Sequence, residues 1–171
     1  RSAAADMKYF ILRAFSSALM LYGIALLYGM TGTTSIEFIG KHLAEALVGG
    51  GVEGNSVIIL AVLLILSGFA FKIASVPFHL WTPDVYTGSP TPSVGFMATA
   101  VKASAFAPMI RIFNVSFGYV TQMSTDAGVQ MVSLRGGFFG YGWVDVLVFI
   151  AAASMILGNL VAMTQDNVKR M

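Results

Sequence analysis

A chain of 171 residues that is 57% hydrophobic, only 11% charged and formally +2 excludes most soluble enzyme classes and points to a polytopic membrane protein. It has no cysteine, so disulfides, thiolate zinc sites and cysteine-held iron–sulfur clusters are ruled out. Its 10 basic residues are scattered, which leaves no footprint for nucleic acid.

The chain opens on Arg1 and reads as an interior stretch of a longer membrane protein. Residues 7–30, MKYFILRAFSSALMLYGIALLYGM, form the first predicted span, ~36 Å of helix against ~30 Å of hydrocarbon. Lys8 and Arg13 lie near its start, where their long stems can snorkel to the headgroups. Residues 35–47 then read as an amphipathic helix on the membrane surface, with Ile36, Ile39, Leu43 and Leu47 on one stripe. Thr34 and Glu37 have the spacing of a capping box that would start it. Gly49 to Gly51 make a flexible link.

The second span is unusual. Its apolar run, 57–71, is only ~22 Å long, so a crossing needs the residues that follow. Lys72 comes next, and Pro77 then removes a backbone donor and disfavours helix at Val76. Residues 57–86 therefore read as one discontinuous span, broken near Pro77, of the kind found at ion sites in transporters. A charge at the centre of a membrane helix costs roughly 2.5–3.5 kcal/mol, and broken backbone is tolerated only inside protein or beside water. Gly68 and Ser75 would share the face of Lys72 if the helix persisted, leaving room for water.

After the Gly88-Ser89-Pro90-Thr91-Pro92 turn, the third span covers 93–113 and places Lys102 ~15 Å deep, with Thr99 and Phe106 on its face. Residues 114–142 read as a long loop, and Tyr141 and Trp143 as an aromatic belt. The fourth span, 143–164, carries Asn159 as an expected interhelical hydrogen-bonding group. Four crossings put the basic flanks Arg1, Lys8 and Arg13 and Lys169 and Arg170 on one side, which the positive-inside rule makes cytoplasmic, or the matrix in a mitochondrion. The expected fold is an all-α, polytopic bundle of about four spans in the lipid bilayer of a bacterial or mitochondrial inner membrane.

Residues 72–92, KIASVPFHLWTPDVYTGSPTP, carry a resemblance. They are similar to the antiporter-like membrane subunits of respiratory complex I and to their relatives in multi-subunit cation/proton antiporters. The form Thr82-Pro83-Asp84-Val85-Tyr86 points to the subunit N, or NADH dehydrogenase subunit 2, branch. MKYFIL at 7–12 and GNLVAMTQDNVKRM at 158–171 agree with it, whereas Arg13 and the long 114–142 loop depart from the family pattern.

The resemblance implies part of an inverted-repeat fold and a proton-translocating, non-redox subunit of an NADH:quinone oxidoreductase. It matches Lys72 to a lysine on the first half of a broken helix, Lys102 to one on the next helix, Lys8 to one on the preceding helix, and His79 to a histidine past the break. It implies no cofactor in this chain: NADH, FMN, iron–sulfur clusters and quinone belong to the other membrane and peripheral subunits of complex I. The glutamate partner of Lys72 is expected on a helix before Arg1.

Free lysine titrates near ~10.4, and burial disfavours its charged form, so a buried lysine can exchange a proton where a free one cannot. Lys72 and Lys102 are therefore the leading relay candidates, then His79 and Lys8, with Ser75 and Thr99 ordering water. Two alternatives stay open on the residues alone: a cation/proton antiporter subunit of the same fold, and a structural scaffold whose lysines form fixed salt bridges.

Overall fold

The computed structural model describes residues 2–48, 52–117 and 143–166. Among the described residues, four stretches are long and apolar enough to cross a membrane: Asp6–Thr31, Ser56–Gly88, Thr91–Phe117 and Trp143–Met163. No strand occurs among the described residues. Backbone polar groups cannot go unpaired in hydrocarbon, so a chain this apolar satisfies them within helices.

Helix α1 (Ser2–Thr31) runs antiparallel to α3 (Val52–Ile73), and small residues set how closely the two approach. A Cβ at Gly23 would lie 2.9 Å from Ala61 O and from side-chain atoms of Leu64 and Ile65, and one at Gly68 would reach Met20 at 2.5 Å. Glycine is required at Gly23 because the nearest obstacle is backbone. Gly68 leaves no room for water, since Met20 occupies the space.

The apolar core lies along the first half of the second span. Ile58, Ala61, Val62, Ile65, Leu66 and Phe69 are at most 5% exposed and meet Leu27, Met109, Phe113 and Phe117.

The short helix α2 (Ile36–Val48) lies across the end of this core. Leu43 and Ile39 of its stripe face protein rather than lipid: Leu43 is buried in the core and Ile39 packs against it. Gly40 brings α2 against the backbone of Ser116, whose hydroxyl donates to Ile36 O at 3.0 Å. The helix starts at Ile36, one turn position later than a Thr34 cap would allow, and Ser35 N–H donates to Thr33 Oγ1 at 3.2 Å.

Beyond the break described below, a single 3₁₀ turn (Phe78–Trp81) and α4 (Thr82–Gly88) complete the second span. The third span is α5 (Thr91–Phe96), one π turn (Met97–Val101), α6 (Lys102–Ile112) and a second π turn (Phe113–Phe117). It thus continues to Phe117, past the expected start of the loop at 114. The rest of that loop, 118–142, with Tyr141, the link at 49–51 and the terminal Lys169 and Arg170 lie outside the described residues.

The fourth span is α7 (Trp143–Met163). Trp143, at the start of this span, is partly buried: its ring lies 5.2 Å from that of Phe113, tilted by 39°, and packs against the core. Asn159 is exposed, and an interhelical hydrogen bond of α7 is made by Ser154.

Candidate functional site at the break in the second span

Pro77 has no N–H and restricts Val76, so the helix must stop before it. It stops four residues earlier than Pro77 itself, at Ile73. Ala74 takes a left-handed conformation with φ +58, Ala74 N–H donates to Phe71 O at 3.1 Å, and Ser75 N–H donates to Ala70 O at 2.9 Å. These are the two bonds of a Schellman motif, with alanine where glycine is usual, at a cost of roughly 1 kcal/mol. The Ser75 hydroxyl adds a 3.3 Å bond to the same Ala70 oxygen. The helix does not persist to Ser75, so Ser75 leaves the Lys72 face and serves as a cap.

One donor then remains before the proline. Val76 N–H donates to Ser154 Oγ, on α7, at 3.0 Å. The donors from 74 to 76 are thereby accounted for, and Pro77 has none. Only one of the three is satisfied by another span.

Lys72 occupies the last turn of α3, at position 72 of a span whose ends, 56 and 88, average to 72. The aligned carbonyls of that half-helix present the negative end of its dipole beside the ammonium. Half-helix ends of this kind hold cations in transporters. Lys72 also lines a largely apolar cleft of about 380 Å³ with Met20, Ile65, Phe69, Pro108 and Ile112.

Lys102 stands at a comparable depth. The third span runs from 91 to 117, with its midpoint at 104. Lys102 is half-buried and directly follows the π turn. Such turns are rare, and they concentrate at functional sites. Two hydroxyls bond back to the helix around it: Thr99 Oγ1 to Gly95 O at 2.8 Å and Ser104 Oγ to Val101 O at 2.8 Å. The wider π turn also takes Thr99 off the register that a continuous α-helix would share with Lys102. Among the described residues, neither Lys72 nor Lys102 has an ion-pair or hydrogen-bond partner.

The second half of the span has a different character. Trp81 is 5% exposed and packs with Phe71 and Val85, against Tyr9, Tyr86 and Met97. Four polar atoms here are buried with no partner: His79 Nδ1, Trp81 Nε1, Thr82 Oγ1 and Tyr86 Oη.

At the far end Lys8 Nζ meets Asp84 Oδ2 at 2.9 Å, joining the start of α1 to α4. Lys8 is therefore apart from the two mid-span lysines and is paired with a carboxylate. Sequence reading missed Ser154 and the π turn. The signal for Ser154 was available, since it is the one hydroxyl side chain in Trp143–Met163 and lies next to that span's midpoint, 153.

A membrane bundle with one span broken at mid-depth, and a lysine in the last turn before the break, defines the class of helical membrane proteins built around a discontinuous span. Comparison with known proteins narrows this. All of residues 1–171 match the family described as NADH:quinone oxidoreductase/Mrp antiporter, TM. The chain is 43% identical over its full length to NADH-quinone oxidoreductase subunit N of Trichlorobacter lovleyi and 44% identical to that of Myxococcus xanthus, covering 30% and 29% of them. It is also similar to a chain in the solved structure of respiratory complex I from Thermus thermophilus with bound aureothin. That match has a TM-score of 0.66 and 38% identity, and covers 98% of this chain and 30% of the other. This chain belongs to the NADH:quinone oxidoreductase/Mrp antiporter transmembrane family. It spans about 30% of the length of the relatives it matches.

Proposed function

We propose that this chain is part of a proton-translocating membrane subunit of an NADH:quinone oxidoreductase, and that protons pass between Lys72 and Lys102 through water. The observation that carries the reading is the placement of both lysines within two residues of the middle of their spans, each beside an interruption in its helix. In one exchange the ammonium of one lysine gives a proton to a water, and the water chain delivers a proton to the neutral amine of the other. No bond other than O–H and N–H changes.

His79 sits just beyond the break with a buried, unpartnered Nδ1, which suits it to hold water near Lys72. Lys8, paired with Asp84, suits an entrance role rather than a central one. Ser75 and Thr99 have their hydroxyls committed to backbone carbonyls, so they act through the helix ends more than through water. The redox chemistry of NADH, FMN, iron–sulfur clusters and quinone belongs to the partner membrane and peripheral subunits.

The test is the number of protons moved per electron in reconstituted complex carrying Lys102→Ala, with assembly followed on a native gel. A fully assembled complex should lose pumping or coupled turnover. Unchanged pumping and turnover would remove Lys102 as an obligatory carrier and restore the salt-bridge reading.

A further inference from the structure

The break could have been closed by local groups alone. Two of its three free donors, those of Ala74 and Ser75, are satisfied by carbonyls of the same half-helix. Such bonds move with the helix and say nothing about where it sits. The third, Val76 N–H, points to α7 and donates to Ser154 Oγ, on a residue 78 positions away. At mid-membrane there is no bulk water to replace that partner, so the hydroxyl links the break to a separate helix.

Lys72 is four residues before Val76, in the turn that the Schellman bonds close. Its surroundings depend on how the chain leaves that turn: which carbonyls stay exposed beside it, and how the cleft lined by Met20, Phe69 and Pro108 is shaped. A shift of the Val76 peptide would alter all of these together.

We infer that Ser154 is a positioning residue for Lys72: its hydroxyl, by accepting the Val76 N–H, holds the broken span in the setting in which Lys72 can exchange its proton. This rests on the relay reading above. Ser154 itself carries no proton in the scheme. It acts through the backbone of the break.

The experiment uses the full-length subunit in its assembled complex, in sealed vesicles, and reads protons moved per electron beside the rate of quinone reduction. Ser154→Ala, Ser154→Thr and Ser154→Cys are compared, with Lys72→Met as the reference. Loss of one net hydrogen bond shifts the balance between two settings of the break by about threefold to tenfold. Ser154→Ala should therefore lower protons per electron, and Ser154→Thr, which keeps the hydroxyl, should restore them.

A wild-type ratio in Ser154→Ala overturns the inference, and so does an equal loss in Ser154→Thr, which would make side-chain shape the cause. If Ser154→Ala does not assemble, Ser154→Cys decides. Its weakly accepting sulfur should give the same direction of change, and a wild-type ratio there overturns the inference too. Lys72→Met separates the two readings. If it leaves the ratio unchanged, the relay itself fails. If it lowers the ratio while Ser154→Ala does not, only the role of Ser154 fails.

Discussion

The two halves of the second span are built by opposite rules. Before the break, one face of the helix from Ile58 to Phe69 is buried among apolar groups while Ile59, Leu60 and Leu63 stay exposed, and Gly23 and Gly68 let α1 approach to contact distance. After it, a shorter piece wraps Trp81 in an aromatic cluster and buries four polar atoms without partners. Buried groups of this kind cost about 1–3 kcal/mol each when left unmade, so the second half is held less firmly per residue than the first. The first half acts as an anchor, and the second is the part whose polar groups gain from hydration. Lys72 stands at the boundary, in the last turn of the anchored half.

The sharpest way to break this contrast is to disturb the anchor. Gly23→Val would drive side-chain atoms into Ala61 O, Leu64 and Ile65, which have little freedom to move. The cost should be about 3 kcal/mol, at the upper end of the overpacking range, and should appear as loss of assembled complex on a native gel. A wild-type yield would show that α1 and α3 are not locked at this point.

A smaller effect of opposite sign is expected past the break. Tyr86→Phe removes a buried hydroxyl that has no partner and keeps the ring. The solubilised subunit should gain about 1 kcal/mol against thermal unfolding. A loss of stability instead would show that the hydroxyl is hydrogen-bonded to water in the membrane.

The smallest effect concerns the outer end of the second half. Lys8 and Asp84 are 52% and 35% exposed, so a double-mutant cycle with Lys8→Met and Asp84→Asn should give a coupling of about 0.5 kcal/mol. A coupling several times larger would make the ion pair a second anchor and weaken the contrast between the halves.

Much of this architecture was legible in the residues. Long apolar runs can only be helices in a bilayer, and Pro77 cannot continue one, so an all-α bundle with one broken span follows from local chemistry. Lys102 could be placed near mid-depth by counting residues at a fixed rise, and Lys72 just ahead of the break. Other features read differently once packed. Asn159 looked like the polar contact of the fourth span because amides form strong hydrogen bonds, yet it is exposed and the smaller Ser154 makes that contact. Thr34 and Glu37 had the right spacing for a cap, but α2 begins at Ile36, one residue later than the Ser35 that a Thr34 Ncap would give.

The sequence by itself determined the membrane class, the number of crossings and the place where one of them must fail. Those properties depend on hydropathy, length and the covalent geometry of proline, all of which act within a few residues. Tertiary structure alone decided how the failure is resolved. The helix ends at Ile73 through a left-handed Ala74, Val76 is taken up by Ser154, and Lys8 finds Asp84. The last two bonds join residues 78 and 76 positions apart, and a hydrogen bond forms only between groups that packing has already brought within reach.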